Sequence, residues 1–122
     1  MSDEFIDFGI KFIAKTKKYI MKYQTILNGK KVEIDALLND LKTVLQNNPS
    51  ILEKIFKEEK ENIEKISKEK NIESVIELID TNTLAKKFIK PTLKPVFKKL
   101  FDSFTEEEKN DVWITLEQFL ML

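Results

Sequence analysis

DEFIDFGIKFIAKTKKYIMKYQTIL, residues 3–27, is the stretch that decides the fold. Phe5, Phe8, Phe12, Tyr19, Tyr23 and Ile26 recur at spacings of three, four and seven residues, and Ile6, Ile10, Ile13, Ile20 and Leu27 run beside them. That period belongs to an α-helix, and the apolar face is wide, with Asp7, Lys11, Lys18 and Lys22 opposite. Such a face is expected of a central core helix. A membrane-surface helix with a lysine-rich polar side is the alternative. Ser2 is placed to cap the start, Asp3 and Glu4 meet the positive end of the helix dipole, and Asn28-Gly29 supplies the left-handed stop.

The same grammar continues outward. A second helix is expected over Val32–Gln46, with Ile34, Leu37, Leu38, Leu41, Val44 and Leu45 apolar. Asn47-Asn48-Pro49 stops it and starts a third, Asn48 as cap and Pro49 in the first turn, where a missing N–H costs nothing. The third carries Ile51, Leu52, Ile55, Phe56, Ile63 and Ile66 and runs to about Lys70. Glu53 with Lys57, Glu61 with Lys65 and Glu64 with Lys68 are i,i+4 pairs in the favourable order, and the charge density suggests a helix standing partly clear of the body. A coiled-coil seam through Leu52, Phe56, Ile63 and Ile66 conflicts with Glu59 and Lys70 at core positions.

Asn71 is expected to cap a fourth helix with Ile72, Val75, Ile76 and Ile79 inward, followed by a connector at Asp80-Thr81-Asn82-Thr83. Leu84–Ile89 forms one or two turns, cut short because Pro91 disfavours helix at Lys90. Thr92 is expected to cap a segment with Pro95 in its first turn and Val96, Phe97, Leu100, Phe101 and Phe104 inward. Thr105-Glu106-Glu107-Glu108 reads as a capping box, with Val112, Trp113, Leu116, Phe119 and Leu120 behind it. The expected fold is all-α, a single compact domain of five to seven helices over residues 1–122.

Composition narrows the chemistry. There is no Cys and no His among 122 residues, so thiolate nucleophiles, disulfides, the commonest general base and the commonest transition-metal ligand are missing. The acids lie on water-facing registers, and Walker, dinucleotide, nucleophile-elbow and EF-hand patterns are absent. No catalytic residue, cofactor or metal is therefore expected. Acids and bases balance at 21 each, and every base is Lys. Arg is the usual reader of guanine and phosphate, so sequence-specific DNA binding is disfavoured, although an A+T-rich genome also explains the bias. Met1-Ser2-Asp3-Glu4 lacks the basic start of a signal peptide and no apolar run approaches a membrane span, so an intracellular location is expected.

Charge is uneven. Lys86, Lys87, Lys90, Lys94, Lys98 and Lys99 stand between Thr83 and Leu100 without an acid, while Asp102, Glu106, Glu107, Glu108, Asp111 and Glu117 face Lys109 alone in the last 22 residues. Phe88, Phe97 and Phe101 are interleaved with the lysines at a spacing that fits core better than base stacking. The six lysines are either a cationic patch for nucleic acid, anionic lipid or an acidic partner, or a solvated face whose neighbour supplies the counter-charge.

The C-terminal quarter, with Phe101, Phe104, Lys109, Val112-Trp113, Leu116 and Leu120 as spaced here, resembles a segment of small helical proteins of the nucleocytoplasmic large DNA viruses. Thr115 and Glu117-Gln118 stand where those proteins often carry an aromatic residue and a Gln. The resemblance implies a helical, virus-encoded protein that packs against other proteins, within the virion or the host cytoplasm, and it transfers no catalytic residue.

The expected function is a non-enzymatic protein–protein interaction or structural module, a minor component of a viral assembly, with protein partners. The alternative is a non-specific nucleic-acid or anionic-membrane binder acting through Lys86–Lys99. The candidate interaction surface is Lys86, Lys87, Lys90, Lys94, Lys98, Lys99 and Trp113. Trp113 is either the core anchor of the last helix or a docking hot spot.

Overall fold

A computed structural model of the chain describes residues 3–27 and 29–122, so the expected roles of Ser2 and Asn28 lie outside the described residues. Among the described residues there are eight α-helices and no strand. They are α1 (Asp3–Lys22), α2 (Lys31–Asn47), α3 (Pro49–Glu58), α4 (Lys60–Glu69), α5 (Ile72–Thr81), α6 (Thr83–Phe88), α7 (Lys94–Ser103) and α8 (Glu106–Met121), with 3-10 turns at Gln24–Leu27 and Pro91–Leu93. The all-α expectation holds, and the count exceeds five to seven because the expected third helix is two.

That break falls at Glu59, with neither Gly nor Pro to signal it. Glu59 leaves helical geometry at ψ 11°, and its carboxylate accepts from the side-chain amides of Asn62 (2.8 Å) and Asn82 (3.0 Å). The backbone bonds on either side are kept, from Glu59 N–H to Ile55 O at 3.0 Å and from Ile63 N–H to Glu59 O at 2.8 Å, so the side-chain bonds brace the bend from outside the helical ladder. The bend turns Ile63, Ile66 and Ser67 into the interior beside α8, so the charge-rich segment is packed, not clear of the body. Among the described residues the three expected Glu–Lys pairs do not close to ion-pair distance, while Lys54 and Glu58 approach to 3.8 Å.

α1 and α2 form an antiparallel hairpin, with Lys17 donating to Asn39 at 2.9 Å. Gly9 is buried at their contact, where a Cβ would lie 2.5 Å from Leu45 Cδ2, so only glycine admits Leu45 at this depth. α1 stops five residues short of its expected end. Tyr23 closes the last turn, and the tighter 3-10 turn drives Leu27 to full burial, followed by Gly29 at φ 78°. Phe5, Ile13, Ile20, Leu27, Ile34 and Leu45 form the centre of the core.

Capping behaves largely as the sequence suggests. Asn71 accepts from the amides of Glu73 (3.0 Å) and Ser74 (3.4 Å), and Thr105 and Glu108 complete a reciprocal capping box. Asn82, taken as one residue of a connector, is buried and does two jobs: Oδ1 caps α6 through the amides of Leu84 (3.1 Å) and Ala85 (2.9 Å), and Nδ2 holds Glu59. Thr92 does not cap α7, because Pro91–Leu93 is itself a 3-10 turn and Leu93 occupies the capping position.

Candidate interaction surface

α8 is the element on which the surface is organised. It runs antiparallel to α1, and the two are joined by side chains, not close backbones. Phe119 meets Phe5, Phe8 and Phe12 of α1 edge-on at centroid distances of 4.5–5.8 Å and stacks on Phe56 of α3 at 4.9 Å. Further along, Tyr19 donates to Asp111 at 3.3 Å, Asp111 also pairs with Lys15, and Glu108 receives the Tyr23 hydroxyl and Lys22 (2.9 Å).

Glu108 therefore serves twice, taking the Thr105 amide at 2.9 Å within the capping box and the α1 hydroxyl and ammonium across the seam. Its side chain is 12% exposed. Burial pushes the carboxyl up, and the Tyr23 hydroxyl, the Thr105 amide and the Lys22 ammonium outweigh it, holding the group at about 2. The Tyr23 hydroxyl is raised by its hydrogen bond to Glu108, and Tyr19 by burial and then by the Asp111 charge.

The opposite side of α8 lies along α4, antiparallel, with Lys70 reaching Asn110 at 3.5 Å. Trp113 is 4% exposed and meets Phe101 of α7 edge-on at 5.5 Å. It is core, so it leaves the candidate surface, and the geometry agrees with the anchoring role its register suggests. The third side of α8 faces outward and carries Ile114 at 43% exposure and, two turns on, Met121 at 85%. Both lie outside the register of Val112, Trp113, Leu116, Phe119 and Leu120 that marks the core side of this helix in the sequence.

The six lysines separate into two groups. Lys94 pairs with Asp80 at 3.0 Å and Lys98 with Glu73 at 2.7 Å, so α5 supplies part of the counter-charge. Glu73 is held below the usual carboxylate range by its hydrogen bond from Lys98, which is raised in turn. Lys86, Lys87, Lys90 and Lys99 are exposed and outside the ion pairs formed among the described residues. The inward-facing acids Glu108 and Asp111 are held by α1.

An apolar chamber of about 180 Å³, partly open to solvent, lies between α1, α2, α3 and α8, lined by Gly9, Ile13, Leu41, Leu45, Leu52 and Leu116 among others. A neighbouring cleft of about 200 Å³ opens at Glu53, Lys57 and Lys60 and shares Phe5, Phe56 and Phe119 with the chamber. Among the described residues no group of three or more acids gathers as a metal site, and no helix is long and apolar enough to cross a membrane.

No family model matches the chain, and no curated protein or solved structure is significantly similar to it.

Proposed function

We propose that the protein is a single-domain, non-enzymatic interaction or structural module that docks on protein partners through the outer side of α8, as a minor component of a viral assembly in the host cytoplasm or virion. The observation that carries this is the division of α8 into three apolar sides. α1 and α4 cover two, and Ile114 and Met121 remain outward among Glu107, Glu117 and Gln118. An apolar stripe rimmed by polar residues is the usual composition of a protein interface. The test is affinity capture from the native source with mass-spectrometric identification, using wild type and the Ile114→Glu/Met121→Glu variant. Partners retained by wild type and lost by the variant support the reading. An identical set for both rejects it.

A second reading rests on Lys86, Lys87, Lys90 and Lys99, exposed and without an acid partner among the described residues: weak, sequence-indifferent binding to nucleic acid or anionic membrane. With about four phosphate contacts, duplex affinity falls roughly a hundredfold between 50 and 200 mM salt. Titration of unrelated duplexes across that range checks it, and sequence-selective binding that survives physiological salt rejects it.

A further inference from the structure

We propose that the chamber between α1, α2, α3 and α8 and the cleft beside it form one binding site for a single aliphatic chain with an anionic head group. Phe5, Phe56 and Phe119 join the two spaces: Phe56 stacks on Phe119 at 4.9 Å, Phe5 meets both edge-on at 6.0 and 5.8 Å, and all three line chamber and cleft alike. They form an apolar collar, of which Phe56 is the half-buried member. The two volumes, about 180 and 200 Å³, together fall within the range of roughly 300–1,000 Å³ typical of small-molecule sites.

The chemistry of the lining selects the ligand. Inside the collar the walls are apolar side chains, so a hydroxyl or an amide carried there gives up its hydrogen bonds to water without replacement. An alkyl chain gives up nothing. At the open end, Lys57 and Lys60 stand beside Glu53, and both lysines are exposed. A carboxylate or phosphate head group held in water beside them keeps its hydration and gains an ion pair. The chain lies inward and the charge stays at the rim. Both a free fatty acid and a bilayer lipid present this chemistry.

Calorimetric titration with octanoate, decanoate and dodecanoate below their micelle concentrations tests the site. Expected is an affinity that rises about fourfold per added methylene. Dodecanol binds more weakly than dodecanoate, and Lys57→Gln/Lys60→Gln removes that difference. Leu41→Phe, which fills the chamber from α2, abolishes the dependence on chain length while circular dichroism stays helical. Leu52→Phe replaces it should Leu41→Phe fail to fold. Competition against dodecanoate by phosphatidylglycerol vesicles assigns a bilayer lipid, and failure to compete assigns the free acid. No binding of dodecanoate, an affinity independent of chain length, or an unchanged profile in the folded filled variant overturns the proposal. None of these outcomes bears on Ile114 and Met121, so the docking reading stands or falls separately.

Discussion

The seam between α1 and α8 and the seam between α5 and α7 are both crossed by two ion pairs, yet they are built to different standards. At the first, Glu108 is 12% exposed, takes three donors, and lies along the same seam as the ring cluster around Phe119. At the second, Glu73 is 68% exposed, and neither α5 nor α6 buries a side chain fully. An ion pair reinforces a contact already shielded from water and adds little to one that is not. The α1–α8 seam is therefore expected to behave as structure and the α5–α7 seam as surface.

The largest expected effect comes from Phe119→Ala, which removes the ring shared by Phe5, Phe8, Phe12 and Phe56. A loss of about 3–5 kcal/mol in urea unfolding is expected. A loss below about 1 kcal/mol would mean that the rings merely touch.

Next is Glu108→Gln, expected to cost about 1–3 kcal/mol at neutral pH, because Tyr23, Thr105 and Lys22 lose a charged acceptor at once. The pH dependence has a definite sign. Held at about 2 against an ordinary 4.5, the carboxylate contributes fully above pH 4.5, and the contribution disappears as pH falls through about 2. Unfolding midpoints at pH 7, 4 and 2.5 are expected to fall more steeply for wild type than for Glu108→Gln. Parallel profiles refute the assignment.

Asn82→Ala sharpens the comparison from the other side, since Asn82 fastens the otherwise lightly buried α5–α6 corner to Glu59. Losing the α6 cap and the Glu59 bond is expected to cost about 1–2 kcal/mol. Asn82→Asp keeps the cap but sets a carboxylate against Glu59, so it is expected to restore only part of the loss. The smallest effect is that of Lys98→Ala, for which no measurable change in the unfolding midpoint is expected despite the short Glu73 contact.

Much of this architecture was legible because local chemistry governs it. The capping box at Thr105 and Glu108, the Asn71 cap, the Pro49 start and the Pro91 stop each depend on residues within one turn. What escaped depends on partners far along the chain. At Glu59 the near partner, Asn62, lies one turn on and suits an unbroken helix equally well, while the other, Asn82, is 23 residues away. Gly9 lies unmarked within a helical pattern until Leu45 arrives against it. The uneven charge was visible, but its pairing was not: Lys94 and Lys98 are met by α5, and Glu108 and Asp111 by α1. Tyr19 and Tyr23, four residues apart on a buried face, carry hydroxyls that need partners, and that was the available clue to the seam.

The double duty of Glu108 has a kinetic consequence. The first turn of a helix ordinarily frays, and its amides exchange with solvent faster than those further in. Here the carboxylate that secures the first turn of α8 is itself fixed by Tyr23, 85 residues earlier in the sequence. Closing so long a loop is entropically costly, so this contact forms after the local hairpins have brought the ends together. Once formed, it couples the start of α8 to α1, and those amides open only when the seam does. Substitutions that weaken the seam are then recorded chiefly as faster unfolding, with the folding rate nearly untouched.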